Sequence, residues 1–360
     1  MSAFSLEVPV NNVSFGNVSI AILRELQKRD LNPPVFPIGP VDLSSQKGDP
    51  YFAQWLNGCV NTAQQKHNRK NRAVRLWHIA NSLQSYSNHG NDLVTFQETG
   101  QLTPLETHIL NQQRKVYVTN RYAQSFFKMC GVEAVHLPLG FDSFNFHTLE
   151  KRPTIPGVTS WLLLGKAEAR KHTYRQLALW AKKYGNQKEH KLNLSITNPF
   201  LKSEDQNGLI AQALGGKQYW NLNFLQWSPT NVEYNTTLQS SDIVLCCSGT
   251  EGFGLPEYHA AALGAWPVAL KAHAYLDYFT DENAVLVKPN GMEPIVDNIF
   301  FHANALTNTG NRFTFSDEDF YAGCAEAERR VKELGVNRIG MELQKTTYAQ
   351  TVDILLKEIA

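Results

Sequence analysis

DIVLCCSGTEGFGLPEYHAAALG, residues 242–264, places an unbroken apolar run directly before a turn that contains glycines. The run that ends at Cys247 has the length and apolar character of a buried strand. Pro256 at a first helical position and Gly264 just past the last apolar residue predict a short helix over residues 256–263. The sequence therefore predicts that Gly252 and Gly254 lie in a strand-to-helix turn.

A strand-to-helix turn of this kind predicts an anion site. It presents free backbone N–H groups and the positive end of a helix dipole, and glycine has no Cβ to keep a phosphate away. Glu251 stands beside these glycines. A carboxylate is poorly placed to hold phosphate but well placed to accept hydrogen bonds from neighbouring hydroxyl groups. Phosphate next to hydroxyl groups describes a nucleotide sugar.

The same stretch resembles the donor-site signature of retaining glycosyltransferases of family four, which have the GT-B fold. That signature is a glutamate, seven residues and a second glutamate, and Glu251 fills the first position while His259 stands at the second. The resemblance implies that Glu251 holds hydroxyl groups of the donor sugar and that His259 occupies the position of the ribose contact. It also implies a backbone site for the diphosphate at Gly252, Phe253, Gly254 and Leu255. A tight turn of any α/β protein is the alternative, and six consecutive matching residues make it the less favoured one.

A second stretch, WLLLGKAEARK at residues 161–171, predicts another buried strand that leads into basic residues. The family has a strand, a glycine, a basic residue and a lysine about five positions later, and Lys166 and Lys171 match these positions. With Arg170 as a neighbour, their implied role is to hold the diphosphate and to neutralise the charge that grows as the sugar leaves.

The first 100 residues contain weaker candidates. Gly16 and Asn17 precede a helical run, and the resemblance implies that a glycine loop here faces the donor phosphates and the acceptor; a helix N-cap at Ser14 is the alternative. Glu98 follows a predicted strand at 93–96, where ligands of open parallel sheets bind, so it is a candidate for acceptor binding or proton transfer. A loop carboxylate or a helix cap is its alternative.

Two further segments carry structural predictions. Residues 4–10 alternate apolar and polar side chains and include Pro9, which predicts a half-exposed strand near a sheet edge. The basic residues from Lys66 to Arg75, followed by apolar residues up to Leu83, predict an amphipathic helix with a basic end. Such an end suits an anionic acceptor, but a solvated face is the interpretation that we adopt.

Strands alternate with helices on both sides of a Pro- and Gly-containing connector at 152–157, which predicts an α/β protein with two doubly wound, Rossmann-like domains facing each other across a cleft. Residues 1–150 would form the acceptor-side domain and residues 151–344 the nucleotide-sugar domain. The resemblance implies that a C-terminal helix within 345–360 packs back on the first domain.

Composition limits the partners. A formal net charge of +1 over 360 residues argues against nucleic acid as a partner. Without a secretory signal or a membrane span, we expect a cytoplasmic protein. No cysteine or histidine pair has metal-ligand spacing, and the Asp-x-Asp at Asp317 and Asp319 is interpreted as a helix start capped by Ser316 rather than as a metal site. We therefore expect neither a metal nor a cofactor beyond the donor substrate.

The leading interpretation is a metal-independent hexosyltransferase. It would move a hexose from a nucleoside diphosphate sugar, with retention of configuration, to a glycan, lipid or protein acceptor that the sequence does not identify. A GT-B phosphorylase or epimerase is the first alternative. A nucleotide-sugar binding protein without catalysis is the second, and His259 in place of a glutamate is the feature that favours it.

Overall fold

Residues 4–359, which the computed structural model describes, contain two six-stranded parallel sheets. The first sheet has the order β2-β1-β3-β4-β5-β6, and all its strand pairs are parallel. Its strands are β1 (Phe4–Val8), β2 (Val35–Pro37), β3 (Arg72–Leu76), β4 (Asn91–Thr95), β5 (Lys115–Val118) and β6 (Ala134–His136).

The second sheet has the order β12-β11-β10-β7-β8-β9 and is also parallel. Its strands are β7 (Thr159–Leu164), β8 (His190–Ser195), β9 (Leu222–Phe224), β10 (Ile243–Cys246), β11 (Trp266–Leu270) and β12 (Val285–Val287). An antiparallel pair, β13 (Pro289–Pro294) and β14 (Asn311–Phe315), follows it. We call residues 4–136 the N-terminal half and residues 159–344 the C-terminal half.

Helices connect the strands, as parallel pairing requires. In the N-terminal half they are α1 (Ser14–Lys28), α2 (Pro50–Asn61), α3 (Ala63–Lys66), α4 (Pro104–Asn111) and α5 (Arg121–Met129). In the remainder they are α6 (Thr173–Tyr184), α7 (Ser203–Ala213), α8 (Asn231–Gln239), α9 (Leu255–Ala262), α10 (Asp317–Leu334), α11 (Arg338–Met341) and α12 (Tyr348–Ile359).

The last helix, α12, lies against the N-terminal half. Asp353 pairs with Arg29 at the end of α1, with 2.7 Å between the charged atoms. The hydroxyl group of Thr351 donates to the carbonyl of Pro138 at 2.7 Å. The last described helix therefore packs back on the N-terminal half.

The structure bears out the central stretch almost residue for residue. β10 and α9 enclose the glycine turn, and Gly264 just after α9 has φ +95°. Ser316 caps α10 by accepting from the N–H of Asp319 at 3.0 Å, so the Asp-x-Asp is a helix start, as predicted.

Three local predictions are wrong. β1 is a strand and lies next to the edge strand β2, but it is fully buried and not half-exposed, because its polar Glu7 pairs with Arg75 of the adjacent β3 instead of facing water. The basic segment before Leu83 forms β3 and a 3₁₀ turn (Ile79–Asn81) rather than an amphipathic helix. The N-cap of α1 is Val13, without a side-chain cap, and not Ser14, while Gly16 and Asn17 lie inside the first turn of that helix.

Candidate functional site

The glycine turn between β10 and α9 is the centre of the candidate site, and every residue from Ser248 to Gly254 is buried. Gly254 precedes α9 with φ +87°, a left-handed conformation that glycine adopts without the steric cost of a Cβ. Pro256 lies in the first turn of α9, where its missing N–H costs no helical hydrogen bond. The local sequence thus dictates both the turn and the start of the helix.

Carbonyl groups of the turn are bound by both halves of the molecule. Thr119 and Asn120, just after β5, donate to the carbonyl of Gly252 at 2.6 and 2.7 Å. Tyr278 donates to the carbonyl of Phe253. Because a trans peptide directs its C=O and N–H oppositely, the N–H of Phe253 faces away from the N-terminal half.

Glu251 is held by two cations. Its carboxylate pairs with Lys171 and, at 3.1 Å, with Arg170, and Ser248 donates to it at 2.9 Å. Burial disfavours the ionised carboxylate, but the charges of Arg170 and Lys171 outweigh that cost and hold the pKa of Glu251 well below its usual range. Glu251 is therefore a fixed anion that can only accept hydrogen bonds.

Glu257 is a second buried carboxyl group beside Lys171, at 3.7 Å from its ammonium nitrogen. Burial raises the pKa of Glu257, since Lys171 offsets this only in part and the charge of Glu251 adds to it. Its Oε2 atom has no hydrogen-bond partner among residues 4–359. The two carboxyl groups around Lys171 thus have opposite tendencies, one to stay ionised and one to take up a proton.

Glu98 and Glu168 complete the charged cluster. The Arg170 guanidinium lies 3.1 Å from each of these carboxylates, and Lys166 lies 2.8 Å from Glu168. Glu98 belongs to the N-terminal half, so its pair with Arg170 crosses between the halves. We define the charge cluster by seven side chains, three cationic and four acidic: Glu98, Lys166, Glu168, Arg170, Lys171, Glu251 and Glu257.

Phe96 of the N-terminal half covers Gly252, where the sequence predicts a contact with a phosphate. A Cβ placed on Gly252 would lie only 2.7 Å from the Cβ of Phe96, at the end of β4. Asn17 also lies where the halves meet, because its side-chain oxygen accepts from Gln46 at 3.0 Å and from Asn231 of α8 at 3.3 Å. A Cβ on Gly16 would meet Asn11 at 2.3 Å, so this glycine packs against its own loop.

His259 lies on α9 and contacts residues that do not belong to the charge cluster. Its Nδ1 is 2.7 Å from the carbonyl of Leu255, and its Nε2 accepts from the N–H of Asp142 at 3.4 Å. The ring packs on Phe146, with 4.3 Å between centroids, and burial lowers the pKa of His259. Both nitrogens are occupied, so the ribose role stays a prediction, and these contacts favour a packing role.

Sequence reasoning missed Glu168, Glu257 and His273. Glu168 lies between Lys166 and Arg170 in the sequence, and this spacing indicates that a carboxylate shares the site of the two cations. His273 follows β11, and its Nε2 lies 2.9 Å from the carbonyl of Ser248, at the start of the turn. Burial lowers the pKa of His273 to about 4, so it is neutral and its Nε2–H donates to that carbonyl. Nothing local in the sequence marks His273 or Glu257, because their roles arise from burial.

Within residues 4–359, no group of three or more histidine, cysteine, aspartate or glutamate side chains has the arrangement of a metal site. The helices of that same span include none that is both long and apolar enough to traverse a lipid bilayer.

One segment of the chain matches a known family in sequence. Residues 162–301 match the family model described as "Glycosyl transferases group 1". None of the curated proteins matches the chain in sequence. The family match begins within β7 and extends beyond α9, so it includes every member of the charge cluster that belongs to the C-terminal half.

Solved structures resemble the chain over nearly its whole length. A sucrose-phosphate synthase from Thermosynechococcus elongatus matches with a TM-score of 0.68 and 12% identity, over 99% of this chain and 97% of that one. A glycosyltransferase from Rickettsia africae matches with a TM-score of 0.67 and 10% identity, again over 99% and 97%. HepE of Anabaena, solved with UDP-glucose, matches with a TM-score of 0.65 and 13% identity, over 99% of both chains. These likenesses confirm the predicted GT-B fold.

Proposed function

We propose that this chain is a glycosyltransferase that takes a hexose from a nucleoside diphosphate sugar and transfers it with retention of configuration. The observation that carries the proposal is the buried Glu251 carboxylate, fixed by Arg170 and Lys171 in the turn between β10 and α9. The match of residues 162–301 to the group 1 glycosyl transferases and the likeness to a protein solved with UDP-glucose support it.

Each member of the site has a distinct role in this proposal. Glu251, kept ionised, accepts hydrogen bonds from hydroxyl groups of the donor sugar. Lys166, Arg170 and Lys171 bind the diphosphate, and the N-terminal end of α9 adds its positive dipole there. The backbone from Gly252 to Leu255 receives the phosphate once the contacts with the N-terminal half have opened.

The chemistry follows from charge placement. The acceptor hydroxyl attacks the anomeric carbon on the face from which the diphosphate leaves, and the proton of that hydroxyl passes to the departing phosphate oxygen. Cationic side chains near this oxygen stabilise the negative charge that grows on it, a term that is commonly the largest in such reactions. These cations stand in for a metal ion, so we expect activity to persist in excess chelator.

The cations of the charge cluster must release some of their carboxylate partners when a donor binds. Arg170 pairs with three carboxylates and Lys171 with two, so an entering diphosphate competes with these groups. The ability of Glu257 to take up a proton lowers the repulsion between the cluster and a diphosphate. Glu98 is the most exposed carboxylate of the cluster, with its side chain 37% accessible, so we expect a diphosphate to displace it first.

The experiment is a pair of isosteric changes, Glu251→Gln and Glu257→Gln. We expect Glu251→Gln to keep nucleoside diphosphate binding but to lower turnover by about a hundredfold or more, which corresponds to roughly 2.7 kcal/mol of transition-state stabilisation. Glu257→Gln, which replaces a carboxyl group already shifted toward its neutral form, should lose far less. Turnover near that of the unchanged protein in Glu251→Gln would remove Glu251 from the reaction.

A thermal-shift panel of nucleoside diphosphates and their sugars identifies the donor. A ligand at 100 times its dissociation constant adds about 2.7 kcal/mol to the free energy of unfolding, which is readily measured. Binding without transfer or hydrolysis of any donor would instead favour a silent nucleotide-sugar binding protein, the alternative that the packed His259 supports. Donor breakdown that requires inorganic phosphate would favour a phosphorylase.

A further inference from the structure

A long loop of the C-terminal half joins β13 to β14 and reaches the N-terminal half. Its two ends are tied together, because the N–H of Ile295 donates to the carbonyl of Gly310 at 2.9 Å. Ile295 and Phe301 are buried, so the loop packs against the protein at its start and near its middle. Compact surface loops whose ends lie close together are frequently functional. We call residues 295–310 the strap.

Hydrogen bonds inside the strap hold the backbone of Phe300 on both sides. The Oδ1 atom of Asp297 accepts from three successive N–H groups, those of residues 299–301, each at 2.9 Å. The side-chain amide of Asn308 donates to the carbonyl of Phe300 at 2.7 Å. Asn308 itself has φ +57°, a left-handed conformation that asparagine tolerates better than most residues. The position of the Phe300 ring therefore depends on both Asp297 and Asn308.

The strap is also bonded to α4 of the N-terminal half. The Oε1 atom of Glu106 accepts from the N–H of Asn308 at 2.7 Å. Thr103, the N-cap of α4, donates to the carbonyl of Leu306 at 2.7 Å. The other oxygen of Glu106 accepts from the N–H of Thr103 at 2.8 Å, so this buried carboxylate binds its own helix and the strap at once. The bonds from α4 to the strap hold while the two halves are in contact.

The ring of Phe300 lies beside the Lys166 ammonium group. The Nζ atom of Lys166 is 5.0 Å from the ring centroid of Phe300 and 5.2 Å from that of Phe200. The two rings meet edge to face, with 5.0 Å between their centroids. A cation within about 6 Å of a ring centroid is attracted by the quadrupole of the ring. Together with Glu168, which lies 2.8 Å from the same ammonium, the rings fix the end of a long and flexible side chain.

An ammonium group that is held in advance binds an anion more strongly. Lysine is among the side chains that lose the most conformational freedom when they become ordered. Contacts that order the side chain before a ligand arrives remove this cost from the binding step. The Lys166 side chain is 39% accessible, so these contacts do not close it off from a ligand.

From these contacts we propose that Phe300 is a positioning residue, which holds the Lys166 ammonium for a diphosphate and makes its placement depend on the contact between the strap and α4. The connection has two steps, since Glu106 holds Asn308 and Asn308 holds the carbonyl of Phe300. Separation of the halves frees the strap from α4 and loosens Phe300. The diphosphate role of Lys166 rests on the proposed function, whereas the connection from α4 to Lys166 does not.

The first test measures the reactivity of the Lys166 amine in the full chain without any ligand. Reductive methylation followed by peptide mass spectrometry gives a labelling rate for each lysine. We expect Phe300→Leu, which removes the ring but keeps an apolar side chain, to raise the rate at Lys166 about threefold or more. Asn308→Gly should do the same, because glycine suits φ +57° and keeps the N–H that Glu106 binds, so that the bond to Phe300 is what it loses. Phe300→Tyr, which keeps an aromatic ring, should retain the original rate.

Phe224→Leu is the matched control, because Phe224 is a half-exposed phenylalanine of the C-terminal half and belongs to β9. It should leave the rate at Lys166 unchanged. Lys188, whose side chain is 86% accessible, is the internal reference for labelling in every variant. An original rate at Lys166 in either Phe300→Leu or Asn308→Gly overturns the proposal. So does a rate in Phe300→Tyr or Phe224→Leu as high as that in Phe300→Leu.

The second test measures affinity by titration calorimetry. The probes are UDP, GDP and ADP, each compared with its free nucleoside. Phe300→Leu should weaken the diphosphate that binds about three- to fivefold and leave the nucleoside unchanged, because the ring acts through Lys166. In a Lys166→Met background, Phe300→Leu should have no further effect.

Equal losses for diphosphate and nucleoside, or an undiminished loss in the Lys166→Met background, would show that Phe300 acts through the packing of the strap and would overturn its positioning role. If none of the three diphosphates binds the unchanged protein, the proposed function fails. The labelling rates then still decide whether Phe300 and Asn308 hold Lys166.

Discussion

Lys171 pairs with two buried carboxyl groups, one of which has a lowered pKa and the other a raised pKa. Glu251 pairs with it closely and also pairs with Arg170, whereas Glu257 lies 3.7 Å away and has one oxygen that finds no partner within residues 4–359. The motif identifies Glu251 from the sequence. Glu257 could not be predicted, because its tendency to take up a proton comes from burial and from the neighbouring Glu251 charge, neither of which a linear pattern records.

His259→Glu separates the ribose role from the packing role. The sequence resemblance alone predicts that a glutamate tightens nucleoside diphosphate binding by roughly 1 kcal/mol. The contacts predict otherwise, because a carboxylate placed against Phe146 cannot donate to the Leu255 carbonyl and is repelled by the nearby Asp142 charge. We expect a loss of about 2–4 kcal/mol in the free energy of unfolding and no gain in affinity.

The control for this change is His259→Gln, which keeps a neutral donor, together with a 2′,3′-dideoxy nucleotide that lacks both ribose hydroxyl groups. Calorimetric titration checks the affinities and urea unfolding the stability. Tighter binding that the dideoxy nucleotide does not share would restore the ribose role.

His273 predicts a pH dependence of stability. Its pKa is about 4 in the folded chain against about 6.5 when unfolded, so between these values the unfolded state binds more protons. Its contribution is complete above pH 6.5 and is lost as the pH falls toward 4. From pH 7 to pH 5 this loss amounts to about 2 kcal/mol.

His273→Gln removes the titrating group. The variant should lose correspondingly less stability between pH 7 and pH 5 than the unchanged protein in parallel urea unfolding series. Identical pH profiles for the two proteins would show that His273 is not held neutral.

At the scale of elements, β10, the glycine turn and α9 could be predicted together because apolar length, glycine, proline and a closing glycine all agree there. The burial of β1 and the formation of β3 could not. Glu7 and the charged Arg75 are polar within strands, and their partnership is a long-range register between two strands that no local pattern contains. Likewise, the apolar residues from Leu76 to Leu83 have a helical spacing, but residues 72–76 pair with β1 and β4 and form a strand instead.

The packing of Phe96 against Gly252 predicts that a larger residue in the glycine turn lowers the stability of the protein. Gly252→Ala puts a Cβ within 2.7 Å of Phe96 Cβ and 3.2 Å of its Cα, which are atoms that only a backbone shift can move. We expect a loss of about 1–3 kcal/mol in thermal unfolding, as for other overpacked sites. Gly208→Ala, in the middle of α7 with open space around it, should instead stabilise by about 0.5–1 kcal/mol. If Gly252→Ala is as stable as Gly208→Ala, the turn is not packed against the N-terminal half.

At the scale of the whole molecule, the two halves are in contact around the site. Besides the Thr119 and Asn120 bonds to the turn, the N–H of Asn231 donates to the carbonyl of Ser45 at 2.7 Å, and Thr103 donates to the carbonyl of Leu306 at the same distance. The sequence predicts two facing domains, but it does not predict this closure, which depends on pairs more than a hundred residues apart. The boundaries at 150 and 344 stay predictions.

Closure predicts how a donor enters. In the proposed function, a nucleoside diphosphate would reach the turn only after the halves separate, and the hydrogen bond from the Thr119 hydroxyl group to Gly252 is one of the contacts that would have to break. Thr119→Val removes that bond with little change of shape, at a cost of about 0.5–1.5 kcal/mol to the closed state. We expect a several-fold faster association of a fluorescent nucleoside diphosphate in stopped-flow measurements, and a larger radius of gyration in solution scattering.

Thr95→Val is the matched control, because the buried Thr95 hydroxyl at the end of β4 has no partner within residues 4–359 and so should change neither quantity. Equal association rates for the two variants would mean that the Thr119 bond does not limit access to the turn.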